Sequence, residues 1–205
     1  MIDTIVFDMG NVLIEWNPQK VIDFYEKDAE RANRLNLAIF QSQIWHQVDK
    51  GLLPLSDAVK QVCLRLDGSY SKTIENIFYN WYQALDKRLV LQQAAISYAK
   101  KGYHIYILSN TSEIYYRLEE DWLPIAKVIQ GKLLSFEEKL MKPDASIYRC
   151  FLERYDLKAS NCLFLDDMAE NVQAAKTVGM EAIQVFDEKT AVEQLNHYLE
   201  RFGKY

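Results

Sequence analysis

The chain has 205 residues, 49% of them hydrophobic and 26% charged, with a net charge of -5. That length suits one packed domain with an inserted subdomain. The negative balance argues against nucleic acid as the main partner and leaves a small anionic substrate open. Cys63, Cys150 and Cys162 show no CxxC spacing and fit free thiols of a reducing cytoplasm better than a disulfide frame or a zinc site. The opening MIDTIVFD lacks the basic n-region of a signal peptide, and no apolar run approaches the roughly 18 residues that span a membrane. Nothing in the sequence requires more than a monomer.

The run TIVF at 4–7 reads as a buried strand that ends on Asp8. Asn17-Pro18 predicts a capped helix start, with proline at the first helical position ahead of KVIDFYEKD. Ser56 is expected to cap DAVKQVCLRL, and Ser71 to cap KTIENIFYNWYQAL. A helix over 89–101 stops at Gly102 and is followed by the strand YHIYIL at 103–108. AKVI at 126–129 predicts a third strand, Asp144 caps ASIYRCFLERY, and CLFL at 162–165 predicts a fourth strand. A helix over 167–178 closed by Gly179, a strand over 181–186 and a helix from about Thr190 complete the chain.

The near-continuous apolar strands call for helices on both faces, so the expected fold is α/β with a doubly wound parallel sheet. The helical stretch 17–86 is too long for a simple crossover. It predicts a small all-helical cap inserted into a core made of 1–16 plus 87–205.

Ligands of open parallel sheets bind beyond the carboxyl ends of the strands. Asp8 follows the first predicted strand, Ser109-Asn110-Thr111 the second and Asp166-Asp167 the fourth, while Lys142-Pro143-Asp144 opens the helix before the fourth. Any one of these has a bland reading, as a helix cap or a solvated turn. The adjacent acids Asp166 and Asp167 repel each other unless a cation offsets them, and their company at one sheet edge weighs against coincidence. Carboxylates, a hydroxyl and an ammonium are the parts of phosphoryl transfer assisted by a hard cation.

The ordered motifs FDMGNV, LSNT, KP and FLDD resemble those of the haloacid dehalogenase (HAD) superfamily over essentially the whole chain. FLDDMAENVQAAKTVGM and KPDASIY are similar to two groups within it. These are the phosphatase domains fused to soluble epoxide hydrolases and, more closely, bacterial phosphatases of sugar phosphates such as alpha-D-glucose 1-phosphate. The resemblance implies a Mg2+-dependent, HAD-like Rossmannoid phosphatase acting on a small phosphorylated metabolite. It implies Asp8 as nucleophile and metal ligand, the Gly10 carbonyl as a second ligand, and Asp167 with Asp166 as the remaining metal acids, one of which orients Lys142. Ser109 and Asn110 are implied to bind the phosphoryl group, and Lys142 to neutralise it. From the cap, Lys50 and His46 are expected to reach the rest of the substrate, while YNWYQAL at 79–85 is expected to fill the cap core.

Two residues depart from the family pattern. Gly10 stands where most members carry an acid/base aspartate, and Lys139 stands where these relatives often have glycine. Gly10 favours a hydrolase over a mutase and activated leaving groups over poor ones, because a general acid is worth roughly 10²–10⁴ in rate. The acidic pair argues against a metal-free dehalogenase, and the motif order against a receiver domain. The competing class is a phosphate-binding module with weak turnover.

Overall fold

The computed structural model describes residues 1–204. Five parallel strands, β1 (Thr4–Phe7), β2 (His104–Ser109), β3 (Ile129–Leu134), β4 (Cys162–Asp166) and β5 (Glu181–Gln184), form one sheet in the order β3-β2-β1-β4-β5. Phe7 sits level with Ile107 on one side and Leu165 on the other. From β1 the chain builds outward through β2 and β3, then crosses back to start β4 on the far side. The switch point of this doubly wound fold therefore lies between β1 and β4, beside Asp8.

Side chains alternate between the two faces of the sheet. Ile5, Phe7, Ile105, Ile107, Leu163 and Leu165 join one apolar core, and Val6, Tyr106, Leu108 and Phe164 join another. Each large apolar side chain removed from water adds about 1.5–3 kcal/mol, so an almost unbroken apolar strand is stable only when both faces are covered.

Between β1 and β2 run α1 (Pro18–Tyr25), α2 (Ala29–Ile39), α3 (Ile44–Asp49), α4 (Leu55–Arg65), α5 (Ser71–Asn80), a 3-10 turn at Trp81–Ala84 and α6 (Leu89–Lys100). The rest of the chain supplies α7 (Tyr115–Asp121), α8 (Ser135–Glu138), α9 (Ala145–Arg154), α10 (Ala169–Thr177) and α11 (Glu188–Phe202). Asn17 caps α1 by accepting from the Lys20 amide at 3.1 Å, and Asp144 caps α9 by accepting from the Ser146 amide at 2.8 Å. The chain enters and leaves the helical insertion side by side, since the Glu15 amide donates to the Asp86 carbonyl at 2.8 Å. Lys20 spans both passages, 2.6 Å from Glu15 and 2.7 Å from Asp86. Among the described residues no helix is long and apolar enough to cross a membrane.

The third strand differs from its sequence expectation. Residues 126–129 were expected to form it, but Pro124–Val128 is a 3-10 turn and the strand is Ile129–Leu134. Its IQGKLL sequence suits a sheet edge. A Cβ on Gly131 would collide with the Tyr155 ring, whose hydroxyl accepts from the Lys132 amide at 2.9 Å, and Lys132 pairs with Glu119. Smaller shifts are local. Helix α4 starts one residue before Ser56, with Pro54 at its cap, and Ser71 is the first residue of α5 without capping it. Helix α10 begins at Ala169, β5 stops at Gln184, and α11 starts at Glu188 behind an Asp187 cap.

Lys139, exposed at the end of α8, adopts a left-handed conformation with φ of 57°. It does not line the cavity described below, so it adds no cation there. An L side chain in that region costs about 1–2 kcal/mol. Lys139→Gly is therefore expected to raise unfolding stability by about 1 kcal/mol after the larger chain entropy of glycine is counted. Urea denaturation reads this directly, and an equal or lower midpoint at unchanged slope counts against it.

Candidate active site

Asp8 emerges from the carboxyl end of β1, where its amide donates to the Leu165 carbonyl at 2.9 Å. Ser109 ends β2 and Asp166 ends β4, so sheet register alone brings them to one edge. Lys142 reaches into this edge from the turn before α9. Its Nζ lies 2.7 Å from Asp8 Oδ1 and 2.6 Å from Asp166 Oδ2, and all three side chains are buried. The oxygens of Asp8, Asp166 and Asp167 gather within 4.8 Å of one another, a set able to hold a metal ion.

The electrostatics of the cluster follow from burial. Loss of solvation, reinforced by the Asp166 charge and opposed by Lys142, pushes the Asp8 carboxyl up to about 6. Burial also raises Asp167, with the Asn11 hydrogen bond working against it. Burial alone would pull the Lys142 ammonium down, but the charges of Asp166 and Asp8 outweigh it and its pKa is raised. When all three acids are ionised, one ammonium faces three carboxylates, and the deficit of positive charge suits a divalent cation with oxygen ligands.

The two acids of the fourth motif are held differently. Asp166 is saturated with donors. Its Oδ1 accepts from the Met168 amide at 2.8 Å and from Asn171 Nδ2 at 2.9 Å, while Oδ2 takes Lys142. Asp167 Oδ2 accepts from Asn11 Nδ2 at 2.9 Å, and Asn11 Oδ1 accepts from the Trp16 amide at 2.9 Å. Asn11 sits at φ of 53°, a left-handed conformation that asparagine tolerates. Asn11 and Asn171 thus brace the metal-type acids. Sequence reading missed both, although the GNV spelling after Asp8 was a usable signal for Asn11.

The expected phosphoryl-binding pair also splits. Asn110 Nδ2 donates to the Lys142 carbonyl at 2.9 Å and its Oδ1 accepts from the Lys142 amide at 2.9 Å. Its side chain thus locks the lysine loop while the residue lines the cavity described below. Ser109 is 1% exposed, and its Oγ is buried with no hydrogen-bond partner in the protein. A buried hydroxyl left unpaired costs about 1–3 kcal/mol, and Ser109 does not itself line the cavity described below.

A cavity of about 430 Å³ opens over Asp8, Gly10, Lys142 and Asp167. Trp16, Phe40, Trp45 and Trp81 line its apolar wall, and the Trp16 ring centre lies 5.2 Å from Trp45 and 5.1 Å from Trp81. Trp81 thus does more than fill the insertion core. Gln41, Gln43, His46 and Asp49 supply polar groups from α3 and the loop before it. His46 is exposed and lies on the cavity wall. Lys50 is not among the lining residues, and its charge instead helps hold Asp144 below the usual carboxylate range. Lys50 follows α3 as its cap.

A doubly wound parallel sheet with an acidic cluster at its switch point and helices between its first two strands defines the class as a Rossmann-like α/β protein with its ligand site at the carboxyl ends of the strands. The family profile of haloacid dehalogenase-like hydrolases matches residues 2–179, and the chain belongs to that family. It is 25% identical to a D-ribitol-5-phosphate phosphatase of Bacteroides thetaiotaomicron, over 90% of this chain and 92% of that one. It is 27% identical to the sesquiterpene phosphatase astK of Aspergillus oryzae, over 89% of each. Among solved structures, an HAD-like family hydrolase from Porphyromonas gingivalis superposes with a TM-score of 0.78 at 20% identity, covering 98% of this chain and 99% of that one. An HAD family enzyme from Bacteroides thetaiotaomicron, solved with magnesium and inorganic phosphate, gives 0.73 at 20% identity, covering 90% and 94%.

Proposed function

We propose that the chain is a Mg2+-dependent phosphatase that hydrolyses a small phosphate monoester through an aspartyl-phosphate on Asp8. The observation that carries this reading is the buried Lys142 ammonium clamped between Asp8 and Asp166, next to a third acid. A module that only bound phosphate would have no use for a carboxylate aimed at the anion, since like charges repel. The phosphatases and the magnesium–phosphate complex among the similar proteins support the same chemistry.

In this reading Asp8 Oδ1 stays with Lys142, and Asp8, Asp167 and the Gly10 carbonyl would hold the metal. Asp166, its oxygens already taken, orients Lys142. Bound Mg2+ supplies positive charge that lets two anions approach. Asp8 attacks phosphorus, Lys142 and the Ser109 hydroxyl hold the phosphoryl oxygens, and water then releases phosphate from Asp8. Residues 17–86 act as a cap over the core of 1–16 and 87–205. The alcohol half of the substrate is a sugar or polyol, its hydroxyls meeting Gln41, Gln43 and His46 and its C–H face lying on Trp16 and Trp45. The four aromatic rings favour a second reading, an apolar alcohol such as a terpenoid, and a panel of both ester types separates the two.

The first test is hydrolysis of p-nitrophenyl phosphate with and without Mg2+. Absence of any metal-dependent release across the ester panel sinks the proposal. Metal affinity carries a pH signature, because a carboxyl must ionise before it ligates. With Asp8 pushed up to about 6, Mg2+ binding expels a proton below that pH and none well above it. Affinity is expected to rise about tenfold per pH unit well below that value and to level off above it. Titration calorimetry in buffers of different ionisation enthalpy measures this, and a flat affinity across the interval contradicts it.

A further inference from the structure

We propose that Asp49, on the helical wall of the cavity, is the proton donor to the leaving group that Gly10 cannot be. This rests on the phosphatase reading above. Three carboxyl residues line the cavity among the described residues: Asp8, Asp167 and Asp49. The first two belong to the acidic cluster on the sheet side, and Asp49 ends α3 in the insertion. In an in-line displacement the leaving oxygen departs on the side of phosphorus away from Asp8, so its donor belongs on another wall.

The position of Asp49 is firmly set. Trp45 lies one helical turn earlier on the same face of α3, and its side chain acts on the Asp49 carboxyl, opposing the effect of burial. The Asp49 carbonyl accepts from Ser135 Oγ, and the same Oγ accepts from the Thr111 amide at 2.9 Å. That chain ties the end of α3 to the loop that carries Ser109 and Asn110. Gly51, at φ of 69°, allows the approach, because a Cβ there would collide with the Phe136 carbonyl.

Burial raises the Asp49 carboxyl well above its ordinary range, with Trp45 as the only opposing influence. Neither Asp8 nor Lys142 contributes to the shift, as fits a group on a separate wall. A carboxyl raised by burial on one wall, apart from one paired with a lysine on another, is the usual division of labour between acid and nucleophile. The steps balance. An Asp8 oxygen bonds to phosphorus as the ester P–O bond breaks, and the departing oxygen takes the Asp49 proton and leaves as the alcohol. The Asp49 carboxylate then accepts a proton from the water that attacks the aspartyl-phosphate. The P–O bond to Asp8 breaks, phosphate forms, and both carboxyl groups return to their starting states.

The test is the dependence of kcat/KM on leaving-group basicity, measured with substituted phenyl phosphates and alkyl phosphates at saturating Mg2+. The wild-type protein is expected to show a shallow slope. Asp49→Asn, which keeps size and shape, is expected to lower kcat/KM by less than about tenfold on aryl phosphates and by roughly 10²–10⁴ on alkyl phosphates. A steep slope in the wild-type protein overturns the proposal without any variant. Parallel slopes for wild type and Asp49→Asn overturn it too, as does a selective loss on alkyl esters in His46→Gln but not in Asp49→Asn. An active wild type with parallel slopes leaves the phosphatase reading standing, whereas a wild type inert toward every ester removes both.

Discussion

Asp8→Asn is expected to abolish turnover, by a factor on the order of 10⁴ or more, while leaving the metal-free protein at least as stable as wild type. An amide oxygen is a poor nucleophile toward phosphorus, and the neutral side chain is a weaker ligand for a hard cation. The stability half of the expectation comes from linkage. The Asp8 carboxyl is raised from 3.8 to about 6 in the folded protein, so across that window the native state holds a proton that the unfolded state has released. Stability is therefore fully present below the unfolded value and falls as pH rises toward the folded one, a cost of roughly 3 kcal/mol at neutral pH. Asparagine carries no such charge, although it gives up one partner of Lys142. Thermal melts with EDTA near neutral pH should place the variant at or above wild type, and added Mg2+ should reverse the order by stabilising wild type alone. A folded variant that keeps more than a few per cent of wild-type activity removes Asp8 from the nucleophile role.

The same trade between stability and chemistry marks what the sequence made legible. TIVF and CLFL read as strands because both faces of β1 and β4 are buried, and the acids that follow them stand out against apolar neighbours. β3 was hidden because it lies at the sheet edge, where Gly131 yields to a tyrosine ring and Lys132 pairs with Glu119. Asp8, Lys142, Asp166 and Asp167 were found by order and spacing, and the fold brings all four together. Their supports were not found. The side chain of Asn11 meets Asp167 across 156 positions of sequence, and no local pattern announces such a bond. Asn110 adds a role that its place beside Ser109 did not suggest: both ends of its side-chain amide close on the Lys142 backbone. Asp49 had the weakest signal, since only its i, i+4 relation to Trp45 marked it as sharing a face with an aromatic of the cavity.

Lys142→Met is expected to cost both activity and fold stability, which separates it from Asp8→Asn. The ammonium is 4% exposed and touches two carboxylates at 2.7 and 2.6 Å, so methionine fills its volume but leaves two buried like charges face to face. Breaking a buried ion cluster by removing one partner costs about 3–5 kcal/mol, and loss of a cation at the phosphoryl oxygens lowers turnover by roughly 10²–10³. The sign of the pH dependence is fixed by the same argument. Without Lys142 the carboxyl of Asp8, already raised by burial and by Asp166, moves further up, because the positive charge that opposed both is gone. Its native state then holds a proton over a wider interval, so the stability gap to wild type is small in mild acid and widens as pH rises toward neutrality. Mg2+ should narrow the gap at neutral pH by supplying the missing positive charge, even though turnover stays low. Urea midpoints across that range, with and without the metal, give the readout. A gap that stays constant with pH and indifferent to Mg2+ would mean that Lys142 packs the core rather than balancing the charge of Asp8 and Asp166.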